Sequence, residues 1–147
     1  MKPLVIGVGN DFAGDDAAGR LVVRGLRGAS GFDRAECHGA AADLVTLMEG
    51  RQRVLIVDAC RSGATPGTLH RLDAGTGDLP PWLRSISSHG IGLAEGVALA
   101  RTLGVLPPRV EVWAIEGEDF ATGAGVSPAV ADCIAAVCAA IPGHLAR

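Results

Sequence analysis

The sequence predicts an α/β fold, a three-layer α/β/α sandwich around a mostly parallel sheet. Three observations carry this expectation. Short apolar runs alternate with stretches of three- and four-residue apolar spacing along the chain. The 147 residues fit one domain spanning 1–147, without a long linker or internal repeat to divide them. The composition, 48% apolar and 20% charged, excludes disorder. Only 3% of the residues are aromatic and none is Tyr, so Ala, Val, Leu and Ile must fill the core.

Pro3 to Val8 reads as a short buried strand ending at Gly9-Asn10. Asp15 to Leu26 follows with helical spacing, Ala18, Leu21, Val22 and Leu26 sharing a face and two acids in the first turn. Arg34 to Cys37 is a weak second strand, and Ala42 to Met48 a short helix stopped by Gly50. Arg53 to Asp58 is the clearest buried strand in the chain. Gly67 to Leu72 alternates as a half-exposed strand does. It follows the preceding strand too closely for a parallel crossover, so it should run antiparallel to it.

Gly90 to Leu103 returns to helical spacing, and Arg109 to Ile115 forms the last strand. Ser127-Pro128 then opens a helix with a serine N-cap, its stripe running through Val130, Cys133, Ile134, Val137, Cys138 and Ile141. If the second strand pairs outside the first, the first and third strands become neighbours. Their carboxyl ends then meet at a topological switch point, where open sheets bind ligands. That crevice would gather Asn10, Asp15 and Asp16 near Asp58.

Composition and motifs exclude several function classes. Thirteen basic against 16 acidic residues give a net charge of −3, which argues against a nucleic-acid-binding or polybasic membrane-binding surface. The first residues lack the apolar h-region of an export signal, and the longest uncharged apolar stretch, Cys133 to Pro142, is short for a membrane span. The four cysteines form neither a C-x-x-C pair nor a secreted framework. These features together predict a cytoplasmic protein with reduced thiols. Gly7-Val8-Gly9-Asn10 fails as a dinucleotide fingerprint because Phe12 takes the third glycine's place. Asp11, Asp15 and Asp16 would also repel a pyrophosphate.

The crevice acids have ordinary structural explanations: dipole compensation for Asp16, loop hydrogen bonding for Asp58. Their position at a switch point favours function, since a buried charge there must be paired or metal-bound. His89, in Ser87-Ser88-His89-Gly90 just before a helix, adds an imidazole. Two carboxylates and one imidazole suit Ni, Zn, Fe or Mn with coordination positions left open. His38, His70 and His144 read as structural or exposed. Cys60 lies close to acids that would raise its pKa, so packing is its expected role, and Cys133 and Cys138 read as small core residues.

Gly7-Val8-Gly9-Asn10 followed by Gly14-Asp15-Asp16-Ala17-Ala18-Gly19 resembles the amino-terminal signature of the hydrogenase maturation proteases. The resemblance continues through Val57-Asp58-Ala59, Ser88-His89-Gly90-Ile91-Gly92-Leu93, Ile115-Glu116-Gly117 and Gly125-Val126-Ser127-Pro128, in order over nearly the whole chain. It implies a five-stranded α/β/α sandwich with one antiparallel strand. It also implies an endopeptidase that removes the carboxyl-terminal extension of a [NiFe] hydrogenase large-subunit precursor. Three side chains would contact nickel, mapping here to Asp16, Asp58 and His89, and the nickel would arrive with the precursor. The first is Glu in some relatives; Asp keeps the charge with one methylene less reach.

Two departures stand out. His38-Gly39 replaces the acidic residue often found before that glycine, making His38 a candidate pH-sensitive ligand or base. Ala17 replaces the usual glycine after the paired acids. Two other readings stay open at this stage: a metal-dependent hydrolase of small molecules, and a non-catalytic nickel-handling or docking module. Water activation is equally open between a metal ion and Asp16 or Asp58 as general base. Partner specificity is expected in the segments around Gly39 to Asp43 and Gly75 to Ser88.

Overall fold

A computed structural model describes residues 1–83 and 92–147. Its five strands are β1 (Leu4–Val8), β2 (Asp33–Cys37), β3 (Arg53–Cys60), β4 (Leu69–Asp73) and β5 (Arg109–Glu116), lying side by side in the order β2-β1-β3-β5-β4. All pairs are parallel except β4 with β5. The short connection out of β3 does reverse the chain, but β4 crosses to the outer side of β5 instead of pairing with its predecessor. The interior strands β1, β3 and β5 are buried on both faces, which is why they read as near-continuous apolar runs.

Even-numbered and odd-numbered residues of these strands face opposite layers, as the two-residue strand period requires. Leu4, Ile6, Val54, Ile56, Val110 and Val112 pack against α2 (Ala41–Met48) and α3 (Leu93–Thr102). Val5, Leu55, Val57, Trp113 and Ile115 pack against α1 (Ala18–Gly25) and α4 (Pro128–Leu145). The result is the expected three-layer sandwich. An eight-residue helix such as α2 is too short to be stable alone. It is held because Leu44 and Met48 are both fully buried against the sheet.

The buried charge of Arg53 faces Glu111 at 3.6 Å, and its guanidinium also donates to the carbonyls of His144, Leu145 and Arg147 at the end of α4. There it satisfies orphan acceptors and the negative end of the helix dipole. By length and composition α4 is apolar enough to cross a membrane. In this fold it lays Val130, Cys133, Val137 and Ile141 onto the sheet and turns alanines outward.

Two local expectations change. Asp15 and Asp16 do not belong to the first helix but to a 3-10 turn, Gly14–Ala17, that precedes it. Ser127 stands at the N-cap of α4 with Pro128 following, yet its hydroxyl makes no cap bond. It donates instead to Asp15 Oδ2 at 2.9 Å, because a buried carboxylate is the stronger acceptor.

Candidate active site at the carboxyl edge of the sheet

β2 and β3 flank β1 on opposite sides, so the switch point lies between the carboxyl ends of β1 and β3. The first glycines serve close packing there. A side chain at Gly19 would collide with the carbonyl oxygens of Val57 and Val8, and one at Gly7 with the carbonyl of Gly19. The start of α1 can therefore sit directly on β1 and β3. Gly9 allows the turn carrying Asp16 equally close, since a Cβ there would strike the Asp16 carbonyl.

The three acids of this loop have separate fates. Asp11 pairs with Arg24 at 2.7 Å, in a cluster that includes Arg20 and Glu36. The Arg24 hydrogen bond, with help from Arg20, holds its carboxyl low despite some burial. Asp15, fully buried, turns away from the crevice. It accepts the amides of Glu118 at 2.8 Å, Asp119 at 3.0 Å and Ser127 at 2.7 Å, besides the Ser127 hydroxyl. Burial opposes its ionisation, but the amide bonds outweigh it, and its carboxyl ionises below the ordinary 3.8. Asp15 is thus a structural peg, and the expectation that it lines the crevice is corrected.

Asp16 remains. Among the described residues it accepts one hydrogen bond, from Asn10 N at 3.1 Å. Burial raises its carboxyl above the ordinary value. Asp58 lies near the carboxyl end of β3, which runs on through Ala59 to Cys60; it is half-buried and accepts the amide of Ala59 at 2.8 Å. Burial, followed by the charge of Asp16, pushes it well above 3.8. The charge of Asp16 is therefore felt at Asp58 across the switch point. Among the described residues no Arg or Lys offsets either one. His89 lies outside the described residues. His38 is exposed just past β2, while His144 is tied to Glu111 at 2.9 Å.

A second set of polar groups was not singled out by residue type alone. Glu116 ends β5 almost fully buried, and its carboxylate accepts Ser62 N at 2.9 Å, the Ser62 hydroxyl and His70 Nε2 at 3.1 Å. Burial opposes its charge, but these bonds hold it below the ordinary carboxylate value. Cys60 is equally buried, and burial and then Glu116 push its thiol up, which favours the protonated form. The sequence signal for Glu116 was weak: it follows the apolar Val112 to Ile115, but β5 also carries Arg109 and Glu111, so an acid there does not stand out.

Comparison with known proteins places these residues in context. Residues 39–144 match the family model described as hydrogenase maturation protease. The chain is 28% identical, over 147 aligned positions, to the hydrogenase expression/formation protein HupD of Rhodobacter capsulatus, covering 88% of this chain and 64% of that protein. It therefore spans less than two thirds of that curated relative's length. The hydrogenase maturating endopeptidase HybD from Escherichia coli superposes with a TM-score of 0.81 at 25% identity, over 99% of this chain and 92% of that one. The [NiFe] hydrogenase maturation protease HybD from Thermococcus kodakarensis shares the fold, with a TM-score of 0.69, 21% identity and full coverage of both chains.

Proposed function

Since this chain belongs to the hydrogenase maturation protease family, we propose that it is an endopeptidase acting on a [NiFe] hydrogenase large-subunit precursor. It removes the precursor's carboxyl-terminal extension after nickel insertion. Nickel is part of the substrate, and Asp16, Asp58 and His89 are the groups that meet it. The observation that carries this reading is the aspartate pair at the switch point. Two desolvated carboxylates that repel each other, with no basic neighbour among the described residues, favour an arriving cation over a neutral peptide.

This arrangement makes cleavage a checkpoint. A nickel-free precursor presents no charge to relieve the repulsion, so the scissile peptide is not held in place. A loaded precursor is held by the difference in binding, which orients the peptide. Oxygen and imidazole donors without a thiolate suit nickel while leaving its remaining positions to the precursor. A raised carboxyl at Asp58 also suits proton exchange with water at the scissile bond.

The test compares nickel-loaded and nickel-free precursor incubated with the chain, reading release of the carboxyl-terminal peptide by mass. Release from the loaded form alone is expected. It should be lost in Asp16→Ala, Asp58→Ala and His89→Ala variants that keep their circular dichroism spectrum. Equal release from both precursors, or normal processing by all three variants, overturns the proposal. Binding without release would instead indicate a docking module, and turnover of small esters or amides alone a small-molecule hydrolase.

A further inference from the structure

The carboxyl ends of β3 and β5 and the adjoining β4 carry a cluster that the proposed reaction does not use. Cys60 and Glu116 are paired positions in the β3–β5 register, so their side chains leave the sheet on one face. His70 pairs with Ala114, two residues from Glu116, and therefore projects from that same face. Cys60 Sγ lies 3.6 Å from Glu116 Oε1, and His70 Nε2 lies 3.1 Å from the same oxygen. One donor atom from each of the three falls within 4.8 Å of the others.

Those separations can be tested against the demands of a cation. Tetrahedral zinc, with bonds of about 2.3 Å to sulfur and about 2.0 Å to nitrogen or oxygen, sets sulfur–oxygen contacts of about 3.5 Å and nitrogen–oxygen contacts of about 3.3 Å. The observed 3.6 and 3.1 Å come close to both. As hydrogen bonding alone, the thiol contact is long and weak. The supporting groups are also in place. Ser62 N holds Glu116 Oε2 at 2.9 Å, and Oε1, which also accepts the Ser62 hydroxyl, faces Cys60 and His70. The His70 ring lies against Trp82, with centroids 4.7 Å apart, which fixes the imidazole's tilt. Three ligands on three hydrogen-bonded strands form a rigid set. His70, the half-buried member, marks the solvent side and the route of entry.

The geometry points to a second cation site, in which Cys60, His70 and Glu116 bind one divalent ion of the zinc class. The Ser62 hydroxyl or a water stands at the fourth position. On binding, the ion takes the place of the thiol proton and bridges β3, β4 and β5 beside Asp58, without drawing on Asp16 or Asp58 as ligands. The site's chemistry is distinct: it has a thiolate, and the aspartate pair has none.

Cobalt(II) is the probe. The full chain, stripped with a chelator, is titrated with cobalt and then with zinc. One equivalent of cobalt should give a thiolate-to-cobalt charge-transfer band and tetrahedral d–d bands, both abolished by zinc. Cys60→Ser should remove the charge-transfer band, and His70→Ala should weaken cobalt binding by about tenfold or more. Asp16→Asn should keep both signals, which separates this site from the proposed nickel contacts. Absence of the band in the wild-type chain, its survival in Cys60→Ser, or unchanged affinity in His70→Ala overturns the inference. His70 sits partly exposed on edge strand β4, where truncation opens no enclosed cavity, so its result stands even if Cys60→Ser fails to fold. None of these failures affects the peptidase proposal, which rests on other side chains.

Discussion

Replacing Asp15 with alanine is expected to cost the fold far more than the same change at Asp16, although the two are adjacent. Asp15 accepts three backbone amides and one hydroxyl, at 2.7 to 3.0 Å. Truncation leaves all four donors without their acceptor in part-buried surroundings. At about 1 kcal/mol for each donor, less what water recovers at the rim, the loss is about 3 kcal/mol. For a chain of this size that lowers Tm by about 10 °C. Asp15→Asn keeps the shape but offers one accepting oxygen in place of two, so it should fall between wild type and alanine. Asp16→Ala removes one bond, to Asn10 N, together with a charge that burial disfavours, and should change stability little.

The assay is urea denaturation followed by circular dichroism, repeated across pH. Asp15 ionises more readily folded than unfolded, so its contribution is complete above 3.8. It is lost as the pH falls from there through the depressed folded value. The gap between wild type and Asp15→Ala should therefore narrow in acid, toward the part that a neutral carboxyl still supplies. A variant within about 0.5 kcal/mol of wild type at neutral pH would refute the reasoning, as would a gap that does not narrow at the lowest pH.

Two further outcomes follow from the same geometry. Asp58 is raised well above 3.8 when folded, so its favourable proton binding is present below 3.8 and lost as pH rises through the raised value. The metal-free Asp58→Asn chain should thus be more stable than wild type at neutral pH, with the difference vanishing in acid, by the same denaturation assay. Gly19→Ala would drive a Cβ into the Val57 and Val8 carbonyls. It should destabilise by about 3 kcal/mol or more and abolish precursor processing, checked by melting and by peptide release.

The fold was legible because its strands are buried on both faces: Leu4–Val8, Arg53–Cys60 and Arg109–Glu116 announce themselves as apolar runs. The antiparallel direction of β4 followed from the length of its connection, but its partner did not, because nothing local to Leu69–Asp73 encodes which strand lies beside it. Asp16 and Asp58 were singled out because the strand order brings two strand ends together. Asp15 was misread because its donors come from residues 118, 119 and 127, more than a hundred positions away. A helix-dipole argument sees only the nearest turn. Glu116 was hidden for the same reason, since its partners at 62 and 70 are joined to it only through the sheet.

The Asp15 peg has a consequence for how the molecule is made. Its acceptor lies near the start of the chain and its last donor 112 residues later, at the entrance to the final helix. On the ribosome, β1 and its loop emerge long before Ser127, and the carboxylate must wait, hydrated, until residues 118–127 have been synthesised. The turn bearing Asp16 is therefore fastened only after Ser127 has emerged, and a product terminated before that point lacks the fastening.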